Sequence, residues 1–348
     1  MKGTVINLLR IAGAFASVRR ANRDKALILT YHRFSRSGDG QTTSALTFAR
    51  QLKYLSTHYK IVPLSRLADY LSSGQKLPPR LAAITIDDGY RDAYEIAFPL
   101  LRHFNAPATL FVVTGFVDGK SWLWPDKLRY LVSQSHLNRL EAAIGGLKLR
   151  LTLDGASSRI EASERVNSAL KKLPDDAKEE ALLRIASSMG VKLPVQPPPE
   201  HSPITWTQVR SMDAAGVEIG AHTVTHPILT RVGDERLRIE LRESRLRLEA
   251  KLNRKVDLFC YPNGDHDARV RLAVRDAGFR CAVTIDGGLN GIGSDLLRLR
   301  RVHTENNFTR FIQSTSGFEQ IKNRLRRARA SWPARVRPYS YDGAPAED

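Results

Sequence analysis

Two adjacent carboxylates, Asp87 and Asp88, end the apolar run Leu81-Ala-Ala-Ile-Thr-Ile86. Side chains alternate between faces along a strand, so the pair can serve one site only where the strand stops and the chain turns. Gly89 follows, and a residue without Cβ permits such a turn. Two carboxylates placed there suit a metal ligand beside a general base, although a helix N-cap or a solvated turn uses the same residue types. A second apolar run, Val217-Glu-Ile-Gly-Ala221, leads into His222-Thr-Val-Thr-His226. Three residues between the histidines stack the imidazoles on one face if the chain turns helically there. Imidazole is the commonest metal ligand near neutral pH; an isolated pair also fits capping or solvated roles. A third run, Val256-Asp-Leu-Phe-Cys-Tyr261, ends in Pro262-Asn-Gly264, turn chemistry that an ordinary loop shares.

In this order, Thr85-Ile-Asp-Asp-Gly89, His222 to His226 and Tyr261-Pro-Asn-Gly264 resemble the motifs of the polysaccharide deacetylases that carry the NodB homology domain. The resemblance covers about residues 26–118 and 202–312 and skips the region between. It implies removal of N- or O-acetyl groups from an acetylated glycan such as a chitin-like oligomer, peptidoglycan, xylan or exopolysaccharide. It also implies one divalent metal, usually zinc, held by Asp88, His222 and His226, with Asp87 as catalytic base. Elementary chemistry agrees with these roles. Three protein ligands leave a position open for water. A metal lowers the water's pKa and polarises the acetyl carbonyl, and a nearby carboxylate can take the proton.

An amine leaves poorly unless protonated, so a general acid is required. The family draws it from a late strand reading Leu-x-x-His. Here Leu29-Thr-Tyr-His32 matches at the start of the chain. That placement resembles the branch, including poly-N-acetylglucosamine deacetylases, in which this strand comes first. His32 is the expected acid, with capping after the first strand as the plain alternative. His303, in Leu299-Arg-Arg-Val-His303, is the rival and is expected on the rim. Two departures from the family pattern stand out. Its third motif often begins with an arginine that orients the base, and Cys260 holds that place here. Arg301, on the same strand face as His303, is the candidate substitute. Asn263 stands at the motif's tyrosine position, where the backbone N–H is the expected oxyanion donor; any residue but proline supplies it.

These residues need strands that end together. Apolar runs at 26–31, 81–87, 107–114, 217–222, 256–261, 280–285 and 296–303 alternate with helical stretches, among them 206–215 and 234–252. That order predicts parallel strands with crossover helices. All three motifs fall at C-terminal strand ends, where α/β barrels carry their sites. The expected fold is α/β, a distorted (β/α) barrel of about seven parallel strands with an inserted helical segment. The expected divisions are a basic, amphipathic segment 1–25, barrel parts 26–118 and 204–318, an insertion 119–203 and a basic tail 319–348. The insertion reads as helical over 126–145 and 159–189 and closes in the proline-rich stretch 194–203. Trp122 and Trp124 at its start can stack on sugar rings or anchor the insertion to the barrel.

The formal net charge is +18, and part of it gathers at Arg10, Arg19, Arg20 and Arg23 and in the tail from Lys322 through Arg337. Such ends contact anionic polymers or lipid, or merely solubilise. No nucleic-acid module accompanies them, so no specific nucleic-acid partner is expected. Residues 6–18 are apolar but broken by Arg10, too short for a span and without a clear cleavage site. Peripheral membrane contact and packing against the barrel both fit. Cys260 and Cys281 sit in separate core strands and read as buried thiols. A cytoplasmic enzyme, membrane-associated at most, is the expected setting. The competing classes are a silent glycan-binding barrel and a basic-tailed nucleic-acid or membrane adaptor. The intact set Asp87, Asp88, His222 and His226 argues against silence.

Overall fold

Seven of the apolar runs become parallel strands that close on themselves in the computed structural model, which describes residues 2–38, 42–120 and 122–322. They are β1 (Leu27–Tyr31), β2 (Leu81–Ile86), β3 (Thr109–Val112), β4 (Glu218–Ala221), β5 (Leu258–Cys260), β6 (Cys281–Gly287) and β7 (Leu299–His303). β1 pairs with β2, Leu29 opposite Ile84, and with β7, Thr30 opposite His303. Those two pairings close the ring β1-β7-β6-β5-β4-β3-β2, and the short strand Lys60–Ile61 lies outside it beside β2. All six residues of β2 and all five of β1 are buried. Parallel strands covered on both faces read as continuous apolar runs for this reason.

Alternation sorts each strand into two faces. Leu27, Leu29, Ile84, Ile86, Leu110 and Phe259 share a cluster with helix residues such as Leu52, Val209, Leu241 and Val270. Ile28, Ala83, Phe111, Leu258, Cys260 and Val283 share another. Into the second cluster the helix Leu64–Ser72 inserts Leu64, Leu67 and Leu71, plugging the end where the strands begin. At that end Glu218 accepts hydrogen bonds from the Ser65 N–H and the Thr109 hydroxyl. Gly220 belongs to the inner face because an added Cβ would lie 2.5 Å from the Phe111 ring. Along β2 and β7 the inward side chains change from Leu81, Ala83 and Leu299 to Thr85, Asp87 and Arg301. The barrel interior therefore turns from aliphatic to titratable toward the C-terminal strand ends.

The secondary structure of the insertion departs from the expectation. In place of continuous helix over 126–145, the helix Trp124–Gln134 is followed by the antiparallel hairpin Arg139–Ile144 and Leu147–Thr152. Gly145 and Gly146 form its two-residue turn with φ of 55° and 82°, as a type I′ turn requires. Leu140, Ile144, Leu149 and Leu151 bury one face at a period of two. The stretch 159–189 divides into helices Ala156–Leu170 and Asp175–Ser188, since Pro174 lacks an N–H to continue the first. These elements surround their own apolar cluster, with Leu131, Val166, Leu170 and Leu182 fully buried. Trp122 packs with Tyr90, Val113 and Phe116 beside the barrel. Trp124 joins the insertion's cluster while also edging the cavity described below.

Near the start, helices Lys2–Ile11 and Ala14–Ala21 lie against the barrel. Phe15 is buried edge-on to Phe318, and Leu8 and Ile11 are exposed. No helix among the described residues is long and apolar enough to cross a membrane. Tail residues Arg324 through Arg337 lie outside the described residues. Cys260 and Cys281 are buried free thiols, and burial pushes Cys281 up to about 12.

Candidate functional site

Four of the seven non-glycine residues described with positive φ, namely Asp88, Thr223, His226 and Asn263, ring the barrel mouth. Such conformations cost roughly 1–3 kcal/mol each and persist where the surroundings over-determine them. The segment after β4 shows how. The Thr223 hydroxyl accepts from the His226 N–H at 3.0 Å. Glu240, buried on the helix Asp234–Leu252, accepts the Val224 and Thr225 N–H groups at 2.8 and 2.9 Å. That tight turn brings both imidazoles to Asp88.

Asp88 Oδ1 lies 3.4 Å from His222 Nε2 and 3.4 Å from His226 Nε2, and the two nitrogens are 3.2 Å apart. A tetrahedral cation with bonds of about 2.0–2.1 Å sets its ligand atoms about 3.3–3.4 Å apart. The donor set therefore fits a divalent cation with a fourth position open. His222 Nδ1 is 2.7 Å from the Cys260 carbonyl, which can only accept, so Nδ1 carries a proton and orients the ring. Burial opposes ionised Asp88, but His222, His226 and His32 hold its carboxyl far below the usual range. Burial also opposes a proton on His222, yet Cys260, Asp88 and Asp87 hold that imidazole well above its ordinary value. Burial and the neighbouring His222 push His226 down to about 4.

Asp87 stands beside this triangle and is held differently. Arg301 donates Nη1 to Oδ1 and Nη2 to Oδ2, both at 2.8 Å. Its remaining contacts are the Thr284 carbonyl at 2.7 Å, the Thr85 hydroxyl at 3.0 Å and the Cys260 sulfur at 3.3 Å. Burial would raise the Asp87 carboxyl, but Arg301, with help from His32 and His222, holds it low. An arginine from the last strand thus reaches the carboxylate beside Cys260, whose sulfur is 3.5 Å from Asp87. Asp87, His222 and Cys260 also approach one another closely enough to suggest a second metal group. Its members are committed elsewhere: Arg301 clasps Asp87, and burial keeps the Cys260 thiol protonated.

This buried pair carries a stability prediction. In Arg301→Met the Asp87 charge loses its partner, at a cost of about 3–5 kcal/mol. Denaturant titration of the metal-free chain should show a lower midpoint. In the wild type, Asp87 contributes stability above the ordinary carboxylate range, lost as pH falls through its depressed pKa. In the variant only His32 and His222 still oppose burial and the pKa rises, so the deficit should be largest at neutral pH and shrink on acidification. A deficit that grows toward acid would contradict the pairing.

The structure brings both candidate acids to the mouth. His32 Nε2 is 3.6 Å from Asp87 Oδ2, with the side chain 40% exposed. His303, more exposed, has its ring centroid 6.3 Å from that of His32. Burial and His32 depress the His303 pKa. Asn263 lines the same cavity, while Tyr261 is tied by its hydroxyl to the Leu297 carbonyl at 2.9 Å. The cavity measures about 520 Å³. Its other wall comes from the insertion, through Trp124, Arg129, Asn167 and Lys171. Arg129, Asn167 and Lys171 carry no signal of this role in the sequence, because polar residues on amphipathic helices look like an ordinary solvated face.

The model of the polysaccharide deacetylase family matches residues 74–140 and 164–282, more than half of the chain. Those stretches contain Asp87, Asp88, His222, His226 and Asn263, and leave out His32, Arg301 and His303. The poly-beta-1,6-N-acetyl-D-glucosamine N-deacetylase of Staphylococcus aureus is 34% identical over 115 residues, covering 28% of this chain and 39% of the relative. The match thus spans well under half the length of that protein. Among solved structures, the deacetylase PplD of Streptococcus pyogenes, in complex with acetate, superposes with a TM-score of 0.57 at 18% identity, over 84% of this chain and 99% of that one. IcaB from Ammonifex degensii gives 0.56 at 20% identity, over 84% and 97%. At these identities the two likenesses bear on the fold.

Proposed function

From a chain that belongs to the polysaccharide deacetylase family, we propose a hydrolase that removes N-acetyl groups from a glycan containing N-acetylglucosamine, using one divalent cation, zinc by preference. The observation that carries the reading is the triangle of Asp88, His222 and His226 donors, 3.2–3.4 Å apart, beside the Asp87–Arg301 pair. A cation held there supplies Lewis acidity to the acetamide carbonyl and lowers the pKa of the attacking water. Zinc suits two imidazoles and a carboxylate in tetrahedral array. The family and the named S. aureus relative point to poly-N-acetylglucosamine-type substrates.

The chain's own residues then have separable tasks. Asp87, ionised and clamped in both oxygens by Arg301, accepts the proton of water as its oxygen attacks the carbonyl carbon. Arg301 acts through Asp87 as a positioning residue: it holds the carboxylate plane and keeps it charged. The Asn263 backbone N–H donates to the developing oxyanion. His32 at the mouth protonates the amine as the C–N bond breaks and acetate departs.

His32→Ala tests the assignment of the acid. Turnover of an N-acetyl substrate should fall by about 10²–10⁴-fold, while an activated acetyl ester, whose leaving group needs no proton, should be far less affected. His303→Ala should change either substrate little. Equal loss on both substrates in His32→Ala would leave His32 a shaping role only. Loss confined to His303→Ala would transfer the acid to the last strand.

A further inference from the structure

The insertion turns a charged wall toward the site. Trp124, Arg129, Asn167 and Lys171 line the same cavity as Asp88, His222 and His226. At about 520 Å³ it has room for a drug-sized ligand, more than an acetyl group occupies. Lys171 is partly buried, and among the described residues its ammonium makes no hydrogen bond or ion pair. Burial and the Arg129 charge lower its pKa, and the carboxylate acting on it is Asp265, exposed and already accepting from Asn263. Arg129, half-exposed, gives one N–H to Asp126 at 2.9 Å and has others to offer. Two further polar atoms are buried without partners: Trp124 Nε1, a donor, and Asn167 Oδ1, an acceptor. Trp124 lines the cavity together with both cations, and a buried donor left unmet is unfavourable until an acceptor arrives, most of all one carrying negative charge. The formal charge of +18 would draw polyanions toward it.

We propose that this wall reads a negative charge on the glycan: a carboxylate or phosphate, borne by a sugar unit beside the one that loses its acetyl group, sits against Lys171 and Arg129 and accepts from Trp124 Nε1. The inference rests on the reading above that a glycan enters this cavity.

Binding tests it without reliance on turnover. Three N-acetylglucosamine oligomers of equal length are titrated into the metal-loaded protein: neutral, bearing one uronic carboxylate, and bearing one phosphate ester. At least one anionic oligomer should bind about tenfold or more tightly than the neutral one, the scale of a charge-assisted hydrogen bond, and the arm that does so identifies the group. The advantage should shrink in Lys171→Met and vanish in Lys171→Met/Arg129→Gln. It should persist in Arg238→Gln, which removes an exposed charge from the outer helix Asp234–Leu252. Lys171→Met leaves the Asp126–Arg129 pair intact and decides the matter if the double variant is unstable. Equal affinity for neutral and anionic oligomers overturns the proposal, as does an advantage that survives Lys171→Met undiminished or that Arg238→Gln also removes. Failure here leaves the deacetylase reading standing. Anion preference without acetate release from any oligomer overturns that reading alone.

Discussion

His226→Ala will fold, will hold no stoichiometric divalent cation, and will release no measurable acetate. The expectation follows from the donor count. With His226 gone, two donors remain, fewer than the three that a catalytic zinc site draws from protein. The fold should persist because His226 belongs to none of the apolar clusters that join strands to helices. One confounding cost is foreseeable. His226 has φ of 61°, and alanine is strained there, whereas glycine is not. His226→Gly should therefore lose the cation as completely as His226→Ala while unfolding at higher denaturant. Full metal content in either variant would remove His226 from the ligand set. The wild-type site should also empty on acidification, since both imidazoles bind a cation only when unprotonated.

Asp87→Asn has the next largest expected effect: a fall in turnover of about 10²–10⁴-fold, or on the order of 3–5 kcal/mol of barrier, with the cation retained. Asparagine preserves the shape beside Arg301 but cannot accept a proton from water. The Asp88, His222 and His226 donors are untouched, so metal content should match the wild type. The variant will be less stable, because Arg301 is 2% exposed and loses its counter-charge. Activity must therefore be read well below the unfolding transition. Should Asp87→Asn lose the metal instead, the two carboxylates have exchanged roles.

Much of the site was legible because it sits at strand ends. Leu81 through Gly89 shows an apolar run, a charge pair and a turn residue within one short stretch, and local sequence alone sets that order. The partner of Asp87 is not local. Alternation places Arg301 on the same strand face as His303, but its reach to Asp87 depends on β7 and β2 flanking β1, a consequence of closure. The same holds for the wall of Arg129, Asn167 and Lys171, which acquires meaning only when the insertion folds over the mouth. The hairpin after Gln134 was missed for another reason. Leu140, Ala142 and Ile144 alternate beside Gly145-Gly146, a readable hairpin signal, but the helix-forming alanines and leucines around them outweighed it. Glu240, which holds the turn between His222 and His226, looked like one charge among many on a solvated helix.

The most direct test of the account is amine release from an N-acetylglucosamine oligomer by protein stripped with a chelator and then titrated with zinc. The stripped protein should release no amine, and recovery should rise linearly and stop at one equivalent of zinc per chain. Release that persists after stripping, or a chain loaded with one zinc at its Asp88, His222 and His226 donors that frees no amine from any acetylated glycan, would contradict the account.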